Sequence, residues 1–271
     1  AGELELAQEC LDATLSAAQR RGDPWMQADA LTALGDLARQ QGNPSGGRAR
    51  YEQALELARM LGDRPRQGKL LARMGSLALD LRQAEEAESS FAQARECAAD
   101  VGDAVEVALI DGNVGRMRHH EGRGREAEDA YDSVLRALIE AGATRWIGVF
   151  QGVLGALQHE QGRSEDARAS YLGAIGLLES CGDRRFAGLV HARLGALHAD
   201  LGQTAEADGS FEHARAHLEA AADPLGQAAL EVHRGHLDLA RARAGHAPSR
   251  KQARARFKAA TTPTRKGEAL V

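Results

Sequence analysis

Residues 167–174 read ARASYLGA and contain the pattern that organises most of the chain. A small residue, Ala167, stands four positions before an aromatic one, Tyr171, and a second small residue, Ala174, follows three positions after it. The aromatic position returns every 40 residues without insertion or deletion, as Tyr51, Phe91, Tyr131, Tyr171 and Phe211. A constant period of this length predicts a solenoid, in which each unit buries its apolar face against its neighbours.

Two kinds of turn alternate along the chain, and glycine marks both. The first contains Gly22, Gly62, Gly102, Gly142 and Gly182, with Ala222 in the last copy; the second contains Gly42, Gly122, Gly162 and Gly202, with Arg82 in place of one glycine. Glycine suits the left-handed residue that ends a helix. An aspartate such as Asp63 usually follows the first turn and can cap the next helix. The turns therefore separate two helices per repeat, which we call A and B.

Helix A has apolar residues at positions i, i+4 and i+7, as at Leu70, Met74 and Leu77, which is typical of one buried helix face. Beside this stripe runs a column of glycines: Gly35, Gly75, Gly115, Gly155, Gly195 and Gly235. Glycine inside a helix costs about 1 kcal/mol relative to alanine, so the column indicates a close neighbour. We expect that neighbour to be the small column of helix B, with the aromatic residue covering the pair. The small column contains Gly47, Ala87, Ala127, Ala167 and Ala207.

These columns resemble those of the tetratricopeptide repeat, whose B helix carries the signature A-xxx-[FY]-xx-A. Three copies match it directly: Ala87-Phe91-Ala94, Ala167-Tyr171-Ala174 and Ala207-Phe211-Ala214. The resemblance covers about residues 3–244. The period departs from the usual one of about 34, the late proline is missing, and the tryptophan slot holds Leu31, Leu71, Asp111, Gln151, His191 and Glu231. The 40-residue form is similar to arrays in MalT-type bacterial regulators and kinesin light chains. It implies an all-α, right-handed superhelical solenoid of antiparallel helix pairs, with the A helices lining the concave face.

The register predicts an orphan B helix at 3–21, five complete repeats and a final A helix at about 225–242. The repeats are 23–62, 63–102, 103–142, 143–182 and 183–222. Lys251 stands in the next aromatic slot, so 245–271 is predicted to be a basic capping helix or a disordered tail. Because the chain begins without methionine and in mid-array, we interpret it as part of a longer protein. The unpartnered first helix leaves an apolar face through which a homodimer could form.

Charge and cysteine content limit the function classes. Residues 245–271 carry a net charge of +6, which leaves −11 on 1–244, and such an acidic body argues against a nucleic-acid binder. The three cysteines are odd in number and lack CxxC spacing, which argues against a disulfide framework and indicates a reducing compartment. The richest apolar stretch, 146–157, is too short and interrupted to span a bilayer. We therefore expect a cytoplasmic protein without a membrane segment.

The A-helix face beside the apolar stripe is expected to look into the groove of the array. In the middle repeats this face carries a polar and locally basic set: Lys69, Arg73, Asn113, Arg116, His119, His120, His159 and Arg193. Arginine and asparagine can form directed hydrogen bonds to carboxylate oxygens, so this set suits a peptide end, an acidic segment or a small anion. The alternative is an ordinary solvated helix face.

Motifs for catalysis or cofactor binding are weak in this chain. His119 and His159 lie one repeat apart and could share a metal, but a closed site needs about four ligands at a defined geometry, so we predict no metal. The segment 122–127 mimics a dinucleotide fingerprint without the strand that must precede it. A phosphate loop, an HExxH motif and a nucleophile elbow do not occur. We predict no catalytic residue and no cofactor.

The sequence thus predicts a non-enzymatic scaffold that holds a peptide segment or a partner domain in its groove. The partner could be another domain of the same parent chain. A second hypothesis is the ligand-sensing arm of a larger bacterial signalling or transcription regulator, with a small-molecule inducer in the groove. A third, a metal-dependent enzyme, rests only on His119 and His159.

Overall fold

The computed structural model describes residues 2–243 and 249–265, and all regular structure in these ranges is α-helical. The helices are α1 (Gly2–Arg21), α2 (Pro24–Gln40), α3 (Pro44–Met60), α4 (Arg64–Asp80), α5 (Ala84–Asp100), α6 (Ala104–His120), α7 (Gly124–Glu140), α8 (Thr144–Glu160), α9 (Ser164–Ser180), α10 (Arg184–Asp200), α11 (Thr204–Ala220), α12 (Pro224–Arg243) and α13 (Ser249–Arg265). The predicted all-α fold class is confirmed. Within the described ranges, every helix is too short or too polar to cross a membrane.

The chain divides into two compact units, here called unit 1 and unit 2. Among the described residues, unit 1 runs to Ala130 and unit 2 from Tyr131. In unit 1, α2 packs against α3 and α4 against α5; in unit 2, α8 packs against α9, α10 against α11, and α12 against α13. The even-numbered helices of these pairs are the A helices of the sequence pattern, and the odd-numbered ones are the B helices.

The turns have the geometry that the glycine columns indicate. Nine glycines between Gly22 and Gly202 have φ between 63° and 76°, and the two substitutes, Arg82 and Ala222, adopt the same left-handed region with φ of 58° and 50°. A side chain with a Cβ is strained in this region, so these two turns are less favourable than the others.

Aspartates cap the following helices, as expected. In unit 2, the Asp183 carboxylate accepts from the backbone N–H of Phe186, and that of Asp223 from Gly226. Each aspartate also accepts from an arginine of the preceding repeat: Arg145 Nε lies 2.6 Å from Asp183 Oδ2, and Arg185 Nε lies 2.8 Å from Asp223 Oδ2. One carboxylate therefore both starts a helix and joins two repeats.

The close neighbour of the A-helix glycines is the aromatic ring itself. A Cβ added to Gly195 would lie 2.5 Å from two ring atoms of Phe211; Gly35, Gly75 and Gly155 face Tyr51, Phe91 and Tyr171 at 2.5–2.8 Å in the same way. The B-helix small column approaches the backbone of the A-helix glycine, as expected, since a Cβ on Gly47 would lie 3.1 Å from Gly35 O. The ring covers the side of the glycine on which a Cβ would stand.

Helix α13 supplies the B helix of a further pair. Its Phe257 ring packs on Gly235, where an added Cβ would lie 2.9 Å from the ring, and it meets the His236 ring edge-on at 5.5 Å between centroids. Ala253 and Ala260 are buried, so residues 253–260 reproduce the A-xxx-F-xx-A signature.

The placement of Lys251 in the aromatic slot was therefore wrong. Phe257 follows Gly235 by 22 residues, whereas Phe211 follows Gly195 by 16. Three of the six extra residues lie in α12, which has 20 residues against 17 in α10; two lie between α12 and α13, and one lies at the start of α13. Of the two alternatives for 245–271, the described residues 249–265 form a helix. The remaining residues of that segment, 245–248 and 266–271, lie outside the described ranges.

Helix α1 packs against α2 and buries Leu15 and Ala18, while Leu4 and Leu6 are 41% and 60% exposed. The homodimer through this end stays a prediction.

Candidate functional site

The predicted site residues of unit 1 lie on α4 and α6. Arg73 on α4 donates through Nε to Asp36 Oδ1 at 3.2 Å, and the Tyr51 hydroxyl donates to the same oxygen at 2.6 Å. Burial and the hydrogen bond to Asp36 together raise the pKa of the Tyr51 hydroxyl well above its usual range. The Arg73 charge is therefore already partly compensated within the protein.

A second carboxylate lies close to this basic set. Burial raises the pKa of Glu106 on α6, and the positive charges of Lys69 and Arg73 act in the opposite direction. Lys69 itself is exposed. The α4 and α6 surface is thus a mixed-charge region rather than a purely basic one.

The other unit 1 candidates follow along α6. Arg116 Nη1 donates to Asn113 Oδ1 at 3.0 Å, which makes these two predicted residues a pair. His119 and His120 stack with their ring centroids 6.2 Å apart. His119 is partly buried and His120 is exposed.

Unit 2 contains a cleft of about 450 Å³ on its A-helix side. Helices α8, α10 and α12 form it, with one residue from α9. Its lining consists of Ala156, His159, Glu160, Tyr171, Arg193, Ala196, Ala199, Asp200, His233, His236 and Leu237. The cleft brings together two residues predicted from the sequence, His159 and Arg193, and adds four polar residues that the sequence analysis did not select. These four are Glu160, Asp200, His233 and His236.

Polar contacts orient the side chains of the cleft. Arg193 Nη1 donates to the carbonyl oxygen of Gly152 on α8 at 3.2 Å, and His159 Nε2 lies 3.1 Å from Asp200 Oδ2. Burial lowers the pKa of His233, and the nearby positive charges of Arg193 and His236 lower it further. His233 is therefore neutral at pH 7, where its ring offers one donor and one acceptor.

The cleft combines charge, titratable groups and apolar area. Its lining includes Arg193, three imidazoles, the carboxylates of Asp200 and Glu160, and apolar side chains such as Ala156 and Leu237. Burial raises the pKa of the Tyr171 hydroxyl to about 12, so that it stays protonated. Such a lining can hydrogen-bond a peptide backbone and accept a small apolar side chain.

Comparison with known proteins gives matches in structure only. No family model and no curated sequence matches the chain. Aspartyl phosphate phosphatase F from Bacillus subtilis superposes with a TM-score of 0.69 at 13% identity, over 90% of this chain and 63% of the other. NprR in complex with its cognate peptide NprX gives 0.67 at 14%, over 96% and 74%. A signal transduction ATPase with a tetratricopeptide repeat sensor, from Pyrococcus horikoshii, gives 0.58 at 13%, over 98% and 45%.

Identities this low show the fold but not the activity, because one fold can carry many activities. The matches agree with the helical-repeat architecture described above. The chain therefore has the helical-repeat fold of tetratricopeptide-type proteins.

Proposed function

We propose that the chain is a non-enzymatic binding module that holds a peptide segment of a partner protein in the cleft of unit 2. The observation that carries this proposal is the cleft lining, which combines Arg193 and three histidines with apolar side chains. The partner is a separate protein or another domain of the same parent chain. The free cysteines Cys10, Cys97 and Cys181 suit the reducing conditions of a cytoplasm.

Arg193 is the central donor of the proposed site. A guanidinium has five N–H donors, and the Gly152 carbonyl takes one of them. This bond holds the side chain against α8, which lowers the entropy lost when a ligand binds. The other donors suit a peptide carbonyl or a carboxylate, to which arginine binds with two parallel hydrogen bonds.

The remaining residues suit a peptide better than a compact anion. Asp200 also lines the cleft, and its carboxylate would repel a free anion while accepting a peptide N–H. The small side chains of the lining alanines leave room for a ligand backbone close to the helices. NprR, whose structure resembles this chain, was crystallised with its cognate peptide.

The test begins with peptides selected from a random phage-displayed library against the wild-type chain. Arg193→Gln should weaken their binding at least tenfold, about 1.4 kcal/mol, because a directed charged contact is lost. Arg168→Gln is the matched control, since Arg168 is exposed on α9 and does not line the cleft. Equal affinities for the two variants would exclude the cleft as the binding site.

Unit 1 is proposed as a second contact surface through Lys69, Arg73, Asn113, Arg116, His119 and His120. A variant with Arg73, Asn113 and Arg116 replaced together should lose capture of the natural partner while keeping its helical circular dichroism. Unchanged capture would remove this surface from the proposal.

A second candidate function is the sensor arm of a larger regulator with a small-molecule inducer. It is favoured by the likeness to the Pyrococcus horikoshii protein, of which this chain covers 45%. A metabolite that raises the melting temperature of the wild type but not of Arg193→Gln would support this function. A metabolite panel that shifts neither protein would oppose it.

A further inference from the structure

A cluster of histidines with one glutamate lies at the junction of three successive helices of unit 2. Glu179 belongs to α9, His191 to α10, and His213 and His217 to α11. Glu179 Oε1 lies 3.3 Å from His191 Nε2 and 3.1 Å from His217 Nε2. One ligand atom from each of these three residues falls within 4.8 Å of the other two. None of them lines the cleft, so the cluster is separate from the proposed peptide site.

The repeat architecture brings these residues together. His191 occupies the slot where tetratricopeptide repeats carry tryptophan, and it is 91% buried. His213 and His217 are four residues apart and therefore share one face of α11. The His191 ring stacks on both, with centroid separations of 5.2 Å to His213 and 5.4 Å to His217.

The polar contacts of the cluster converge on one oxygen atom. Two imidazole Nε2 atoms, those of His191 and His217, face the single Oε1 atom of Glu179. The Nδ1 atom of the buried His191 has no hydrogen-bond partner among the described residues, so Nε2 carries the polar contacts of this ring.

We propose that Glu179, His191 and His217 bind a divalent transition-metal ion, with Zn²⁺ as the best fit. Imidazole nitrogen and carboxylate oxygen are ligands that Zn²⁺ takes at about 2.0–2.2 Å in a tetrahedral arrangement, which sets neighbouring ligand atoms about 3.3–3.6 Å apart. The Oε1–Nε2 separations of 3.3 Å to His191 and 3.1 Å to His217 lie at and slightly below this spacing, so small side-chain shifts admit the ion. Water or the neighbouring His213 completes the coordination.

The position of the cluster gives the ion both an entry path and a structural effect. The Glu179 side chain is 45% exposed and that of His217 is 23% exposed, whereas that of His191 is 11% exposed, so the cluster opens to solvent at one end. An ion there joins the B helix of one repeat to both helices of the next. Binding to the folded state alone stabilises it by mass action, so Zn²⁺ at 100 times its Kd should raise the melting temperature by about 5 °C or more.

The experiment uses the whole chain, stripped with a chelator and titrated with ZnCl₂ alone by isothermal calorimetry. We expect one ion per chain, and at least tenfold weaker binding for Glu179→Gln and for His217→Gln. Glu206→Gln, at an exposed position of α11 outside the cluster, is the matched control for Glu179→Gln and should bind as the wild type does. Circular dichroism checks that each variant folds.

Cobalt provides an independent readout. Co²⁺ in a four-coordinate site of nitrogen and oxygen ligands should give intense visible absorption bands in the wild type, and these bands should be lost in His217→Gln. The proposal fails if the wild type binds no stoichiometric Zn²⁺, or if His217→Gln retains wild-type affinity. It also fails if Glu206→Gln loses binding as the cluster variants do. The peptide-binding proposal is unaffected by any of these results, since the two sites share no residue.

Discussion

Replacing Gly195 with alanine should destabilise the protein by about 2 kcal/mol. The added Cβ would lie 2.5 Å from two ring atoms of Phe211, a distance that real Cβ atoms essentially never show. The Phe211 side chain is fully buried, so its ring has no open space into which to move. Overpacking costs about 1–3 kcal/mol, and this contact belongs at the upper end; the gain in helix propensity returns about 1 kcal/mol.

Gly176→Ala is the matched control for this prediction. Gly176 lies inside α9, is exposed, and has no atom within 4 Å of an added Cβ. Alanine there should therefore stabilise by about 0.5–1 kcal/mol through helix propensity alone. The two glycine-to-alanine substitutions should therefore change the free energy of unfolding in opposite directions, with a difference of nearly 3 kcal/mol.

Urea unfolding followed by circular dichroism at 222 nm measures this difference as opposite shifts of the two midpoints. A double variant tests whether the ring causes the destabilisation, because Gly195→Ala in a Phe211→Leu background should lower the stability far less than it does in the wild type. If Gly195→Ala unfolds at or above the wild-type midpoint, the ring does not pack on the glycine and the reasoning is refuted.

Three further predictions concern the turns, the last helix and the cleft. Ala222→Gly should raise the stability by about 1 kcal/mol because it removes a left-handed alanine, whereas Ala216→Gly in the interior of α11 should lower it by a similar amount; urea midpoints test both. Phe257→Ala should release α13, since the ring packs on Gly235, and hydrogen exchange of the α13 amides should accelerate while that of α9 stays unchanged. The pKa of His233 is lower in the folded protein than in the unfolded chain, so the unfolded chain binds the proton first, and the stability should fall as the pH drops below about 6.5. His233→Gln should flatten this part of the curve of melting temperature against pH. An unchanged curve would contradict the lowered pKa.

The sequence predicted the helices of the repeats well because their ends are encoded locally. A glycine or its substitute forms the left-handed turn between successive helices of the repeats, and at most of the turns that precede an A helix an aspartate such as Asp183 caps that helix. Both signals act within a few residues, so neither needs tertiary information. The aromatic residue of the last helix pair, α12 and α13, was not predicted. The longer α12 and the later start of α13 move Phe257 out of the 40-residue register, so that a constant period points to Lys251 instead.

The candidate sites could be predicted only in part, since a repeat pattern identifies columns but not the contacts between them. His159 and Arg193 were chosen from A-helix positions, and both line the cleft. The pairing of Arg73 with Asp36 was not foreseen, because it joins two helices at unrelated positions. His191 was visible as a departure in the tryptophan slot. Its neighbours Glu179 and His217 are 12 and 26 residues away on other helices, which no local pattern reveals.

The aspartates that cap helices and also accept from an arginine of the preceding repeat have a consequence for how such an array can grow. Arg185 lies at the start of the 183–222 repeat, and its partner Asp223 is the residue that follows the repeat. In a tandem copy of this segment, the first residue of the second copy would be an aspartate in register with Arg185 of the first copy. Gene duplication could therefore lengthen the array by one repeat and recreate both the cap and the ion pair at the new junction, without any compensating mutation.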